Sequence, residues 1–236
     1  MNVLAIDTTS YVLGVAILKD GMVAGEYITH LKKNHSVRLM PAIRGLMEEV
    51  DITPNQLDRI VVSEGPGSYT GVRIGVTTAK AMAWSLKIPL VGVSSLEVLA
   101  QNGKHFSGVI SPFIDARRGQ VYTGLYESRQ GIVTCVEQDQ ILLHRDWLNH
   151  LKKQEKSILF LSIDIGIHVK EIKDILGEQA VIPPMTEQFP RPGELARLGM
   201  EKEVTGEVHS FSPNYIRLAE AEAKWQENQK QKETNK

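Results

Sequence analysis

Cysteine is all but missing from this chain of 236 residues, and neither sign of charge prevails. A lone Cys135 excludes an intramolecular disulfide framework and a multi-cysteine zinc site, and it suits a reducing compartment. Lys and Arg number 27 against 28 Asp and Glu, a net charge of −1. That balance argues against a protein that grips phosphate backbones by itself, because such affinity comes from many cations releasing counterions. No run approaches the roughly 18 uninterrupted apolar residues of a membrane-spanning helix. The opening MNVLAIDTTS has neither a basic n-region nor a long apolar core, so no signal peptide is expected. What remains is 42% apolar residues, enough to bury a core without staples. The expectation is a cytoplasmic mixed α/β protein.

The chain alternates short apolar runs with turn signals. Val3 to Ile6 and Val12 to Leu18 read as strands, and Lys19-Asp20-Gly21 signals a hairpin into Met22 to Thr29. Leu39, Met40, Ile43, Leu46, Met47 and Val50 recur at the spacing of one helix face, with Ser36 as the expected N-cap. A strand at Arg59–Ser63 meets Gly65-Pro66-Gly67, and a helix is expected from about Thr70 to Leu86. Leu90 to Val93 is a strand, and Ser94 with Glu97 form a capping box for the next helix.

After Gly108 the pattern begins again. Ala5-Ile6-Asp7-Thr8-Thr9-Ser10 is matched by Phe113-Ile114-Asp115-Ala116-Arg117-Arg118: a buried strand ending in Asp, a polar turn, and a returning strand. The repeat implies two similar α/β lobes, residues 1–105 and 106–218. Residues 219–236 are rich in Gln, Glu and Lys, with Trp225 as sole anchor, and are expected to be a fraying helix or a disordered tail.

Two lobes that each present an Asp at a strand end suggest a cleft in which Asp7 and Asp115 face one ligand. Carboxylates so placed hold Mg²⁺ through water beside phosphate. The bland alternative is that Asp7 caps its own turn, accepting from the N–H groups of Thr9 or Ser10. The segment Gly65-Pro66-Gly67-Ser68-Tyr69-Thr70-Gly71 lies at a strand-to-helix junction, where free N–H groups suit an anion. Equally, it is a rigid turn in which Ser68 or Thr70 caps the helix. Thr8, Thr9, Gly65, Gly67, Ser68, Thr70 and Gly71 are thus candidates for a cleft or anion site, with Arg117 and Arg118 opposite.

The helix after this junction is apolar nearly all round. Gly71, Gly75, Ala79 and Ala83 fall four apart, a ridge that lets another backbone come close, and Val72 and Val76 widen it. A helix so uniformly apolar suggests a face for a partner, and equally an ordinary core helix buried within its own lobe. The seven histidines include no pair three or four apart on a helix, there is no HExxH, and no Gly-x-Ser-x-Gly elbow. No catalytic set and no metal site are expected. Cys135 reads as a packing residue.

Five segments together carry a family resemblance: LAIDTTS, then His35-Ser36 with Leu39 and Pro41, then EGPGSYTGVRIG, then IDARRGQVY, and Pro213-Asn214-Tyr215-Ile216-Arg217. They resemble the TsaB, or YeaZ, family. The resemblance implies a two-lobed, actin-like and sugar-kinase-like ATPase fold with ribonuclease H-like lobes, and a non-catalytic paralogue of the TsaD transferase. It implies a role, with TsaD and the TsaE ATPase, in threonylcarbamoyl transfer to N6 of the adenosine next to the anticodon in tRNAs reading codons that start with A. TsaD-like proteins hold a metal with histidines four apart on a helix, a pair this sequence lacks. Family members pair through their first two helices, with themselves or with TsaD. That makes Leu39, Met40, Ile43, Leu46, Met47, Val72, Gly75, Val76, Ala79 and Ala83 the expected interface, with a homodimer when the protein is alone. No cofactor is required for that role, although nucleotide at the cleft or the complex interface is compatible with it, and tRNA is met only through the complex. Two other readings stand beside it: a metallopeptidase-like protease, and an ATP-hydrolysing kinase-like enzyme using Asp7 and Asp115. Arg117 and Arg118 read by default as solvated surface; the sharper reading is recognition of tRNA phosphate or of an acidic partner surface.

Overall fold

A computed structural model describes residues 1–204 and 206–216; Arg217 and the expected tail helix at 219–236 lie outside them. The first half of the chain forms β1 (Asn2–Asp7), β2 (Leu13–Lys19), β3 (Met22–Thr29), α1 (His35–Glu49), β4 (Arg59–Gly65), α2 (Tyr69–Leu86), β5 (Leu90–Ser94) and α3 (Ser95–Ala100). The second half forms β6 (Val109–Asp115), β7 (Gln120–Arg129), β8 (Ile132–Leu143), α4 (His144–Leu151), β9 (Ile158–Leu161), α5 (Ile165–Leu176), β10 (Ala180–Val181) and α6 (Pro192–Glu201).

The repeat is real at the level of topology. One sheet runs β3-β2-β1-β4-β5 and the other β8-β7-β6-β9-β10. In each, the first three strands are an antiparallel meander, the fourth pairs parallel to the first, and the fifth pairs parallel to the fourth. Both meanders turn on a pair in left-handed backbone, Asp20-Gly21 and Gln130-Gly131, the geometry that matches the twist of a tight hairpin. Period-2 alternation then sorts β1 and β2. Leu4, Ile6, Leu13, Val15 and Ile17 pack under α1 and α2, while Val3, Ala5, Ala16 and Leu18 pack under α6. Burial on both faces explains why these strands read as continuous apolar runs.

The boundary near residue 105 divides the sheets but not the helices, which corrects the expected lobe limits. The last helix of each half crosses over. From α3, Leu96, Leu99 and Ala100 pack with Ile110, Leu159 and Leu161 of the second sheet. From α6, Leu195, Ala196 and Leu198 pack on the first. Gly199 of α6 lies so close to the first sheet that an added Cβ would stand 2.2 Å from Val61 Cγ1. The guanidinium of Arg59 donates to the carbonyls of Gly199, Met200 and Lys202, satisfying the open end of α6. Where the chain crosses, Asn102 Nδ2 donates to the carbonyls of Glu187 and Phe189 on the returning segment. Sequence order carries no information about which sheet a closing helix will cover.

Three local expectations also change. The N-cap of α1 is Asn34, whose side chain accepts from Ser36 N–H, so Ser36 is already inside the helix. Ser94 caps α3 as expected, but Glu97 reaches Lys202 Nζ at 2.6 Å instead of returning to the cap. Cys135 is exposed on β8 rather than packed, and burial of its surroundings raises its thiol pKa, which disfavours the thiolate.

Candidate functional site

Two features of the molecule invite function: the cleft between the lobes and the outer surface of α1 and α2. The cleft, about 560 Å³, is lined from the first lobe by Thr9, Gly67, Ser68 and Thr70 and from the second by Asp115 and Arg117. These six expected residues are brought together. Asp7, Thr8, Gly65 and Gly71 are not; they lie beneath the cleft wall.

The reason is close packing between the turn after β1 and the start of α2. Asp7 is 2% exposed, and its Oδ1 accepts from both the N–H and the hydroxyl of Thr9 at 2.9 and 2.8 Å. Burial raises its pKa, partly offset by those hydrogen bonds and by His35. The capping reading of Asp7 therefore holds, and the Thr9 N–H that could meet a phosphate is already engaged. Thr8 Oγ1 donates to the Gly71 carbonyl at 2.7 Å. A Cβ at Gly67 would stand 2.3 Å from the Thr9 carbonyl oxygen, one at Gly71 2.1 Å from that of Thr8, and one at Gly75 2.5 Å from Thr8 Oγ1. The small-residue ridge thus admits a backbone, but the backbone is the chain's own. Ser68 completes the junction as N-cap, accepting from Gly71 N–H, and Gly65-Pro66 is a cis peptide.

In the second lobe the corresponding turn is open. Arg117 and Arg118 are exposed and stand consecutively in left-handed backbone, sparsely populated for such side chains. Asp115 Oδ2 accepts from Arg117 N–H, and its Oδ1 lies 3.0 Å from His168 Nε2. Asp115 N–H donates to Asp164, whose pKa burial raises. The two strand-end carboxylates therefore occupy unlike settings, and only Asp115 reaches the cleft.

The interface residues need the same correction. Leu39, Ile43, Leu46 and Met47 of α1, and Val72, Gly75, Val76, Ala79 and Ala83 of α2, are buried in the chain's own core against the first sheet. Of the ten, only Met40 is turned outward, 49% exposed. Helical period correctly identified the apolar face, but the first sheet covers it. The residues that the two adjoining helices do present to solvent include Val37 on α1 and Trp84 on α2, 68% and 73% exposed. An added Cβ at Gly45 on α1 meets nothing, and Ala81 on α2 is exposed, so the helices also offer low relief. A groove of about 730 Å³ runs from Trp84 past Ile88 and Pro89 to Val208. His35 anchors α1 by donating from Nε2 to the Ser10 carbonyl at 2.7 Å.

Duplicated five-stranded lobes around a central cleft define the class: the two-lobed fold of actin-like and sugar-kinase-like proteins. Residues 25–225 match the family TsaD, described as tRNA N6-adenosine threonylcarbamoyltransferase. The tRNA threonylcarbamoyladenosine biosynthesis protein TsaB of Bacillus subtilis is 56% identical, with 98% of this chain and all of that protein covered. TsaB of Escherichia coli is 28% identical over 80% of this chain and 84% of its own. A Pseudomonas aeruginosa crystal structure described as similar to peptidase YEAZ superposes with a TM-score of 0.79 at 25% identity, covering 92% of this chain and 99% of its own. The chain belongs to the TsaB, or YeaZ, family of tRNA threonylcarbamoyladenosine biosynthesis proteins. Among the described residues no helix is long and apolar enough to cross a membrane.

Proposed function

We propose that this chain is a non-catalytic subunit, acting in the cytoplasm, that docks a TsaD-like transferase through the outer faces of α1 and α2. Together with a TsaE-like ATPase it supports threonylcarbamoyl transfer to N6 of the adenosine beside the anticodon in tRNAs reading codons that start with A. The same helices pair two copies when the transferase is absent. The observation that carries this reading is the outward apolar surface of two neighbouring helices, with Val37 and Met40 on one and Trp84 on the other. Each such side chain contributes about 1.5–3 kcal/mol when covered, against an association cost of about 4–15 kcal/mol. Contact must therefore engage both helices. The cleft supports a supporting rather than a chemical role, because Asp7 is consumed in its own turn and no phosphate-binding glycine follows it. The kinase-like reading loses one of its two carboxylates on the same ground. No cofactor is needed for docking, and Arg117 and Arg118 serve as anion contacts of the assembled complex.

Exposed positions make the test clean. Met40→Arg combined with Ala81→Arg alters no core contact, so the variant folds and its circular dichroism matches the parent. It binds a TsaD-like transferase at least tenfold more weakly, read by calorimetry, and the reconstituted modification of tRNA falls in step. Undiminished binding and modification by the folded variant would overturn the docking surface. In the same assay, neutralising both arginines lowers tRNA retention by the complex at fixed salt; unchanged retention removes that contact.

A further inference from the structure

The second lobe holds a cluster that the docking role leaves unused. His144 opens α4 directly beneath α5 and is completely buried, and neither of its ring nitrogens has a hydrogen-bond partner among the described residues. Buried polar atoms are paired as a rule, so an orphaned imidazole asks for an explanation. Its Nδ1 stands 3.7 Å from Glu171 Oε2 on α5. One turn before that glutamate, the ring of His168 meets His144 edge to face, with centroids 4.5 Å apart. One ligand atom from each of the three residues lies within 4.8 Å of the other two.

We propose that His144, His168 and Glu171 form a metal site of the zinc class, with water in the fourth position. Two imidazole nitrogens and one carboxylate oxygen are a set that zinc favours. Bonds of about 2.0–2.2 Å put tetrahedral ligand atoms roughly 3.4 Å apart, so His144 and Glu171 already stand near the spacing required. The outer shell is in place as well: His168 Nε2 faces Asp115 Oδ1 at 3.0 Å. A proton held there leaves the lone pair of the other nitrogen available, the arrangement that orients metal-bound histidines. One feature opposes the cation. The half-exposed Glu171 also faces Arg145, whose Nε lies 3.3 Å from Oε1. The site is too buried to admit a peptide, and a bound ion would tie α4 and α5 to the cleft wall through Asp115.

Tag-free full-length protein loaded with zinc and desalted is the material for the test. About one equivalent of zinc is retained by mass spectrometry, and the thermal midpoint rises with zinc and returns with a chelator. Glu171→Gln, at a half-exposed position, remains folded and binds zinc at least tenfold more weakly in competition with a chromophoric chelator. Arg145→Ala, which frees the carboxylate, binds more tightly. His144→Phe packs against Phe113 in the same space and retains none. Failure of the parent to retain zinc overturns the site, leaving a neutral packed histidine. Equal retention by parent, Glu171→Gln and His144→Phe overturns it too, because the ion then sits on surface histidines.

Discussion

The two lobes share a strand order and differ at the point where their first strands end. In the first, Asp7 and Thr8 are sealed under α2, and three glycines exist to let the turn and the helix touch. In the second, Asp115 looks into the cleft, Arg117 and Arg118 are exposed, and among the described residues no helix closes over them. One duplicated frame has thus been filled with a rigid, packed junction on one side and an open, charged one on the other. The packed side turns the outer faces of α1 and α2 to solvent. The open side keeps the groups that can meet an anion or a cation.

Substitutions can break that contrast. Gly71→Ala should have the largest effect, because its Cβ would stand 2.1 Å from the carbonyl oxygen of Thr8, a backbone atom that cannot swing aside. Forcing the junction apart is expected to cost about 3 kcal/mol, read as a lowered urea midpoint. A loss below about 1 kcal/mol would show that the junction is loose.

Asp7→Asn sharpens the same contrast through pH. Burial raises the folded-state pKa of Asp7 above its ordinary 3.8. The folded protein therefore binds the proton more tightly than the unfolded chain. The stability so contributed is complete below the unfolded value and is lost as pH rises through the folded one. Between pH 4 and 7 the parent should lose stability relative to Asp7→Asn, measured as a difference in urea midpoints. A difference that is flat with pH would mean the carboxyl is less buried than described. The smallest effect belongs to the open turn: Gly119→Ala meets no atom but must hold φ of +72°, for about 1 kcal/mol or less. A loss as large as that of Gly71→Ala would erase the distinction between the lobes.

Much of this architecture was legible in the residues. The apolar run Val3 to Ile6, the Asp20-Gly21 turn and the recurrence of a strand-terminal Asp each encode local geometry, and local geometry survives folding. The candidate site was legible in composition but not in direction. Periodicity along α2 shows that Gly75, Val76 and Ala79 share an apolar face, yet the covering surface, the chain's own first sheet, comes from residues far away in sequence. Val37 and Trp84 fall outside the apolar stripe and so gave no periodic signal. His144 and His168 sit on different helices, and a search for ligands along one helix passes over them. The two-residue strand β10 is too short to carry a pattern at all.

The exchange of α3 and α6 between halves has a mechanical corollary. The polypeptide passes from one half to the other twice, and Asn102 clips the outgoing and incoming passages together with two hydrogen bonds. One side chain thus holds the two covalent connections between the halves side by side. Neither half can be excised intact, since each would depart without the rod that roofs its sheet.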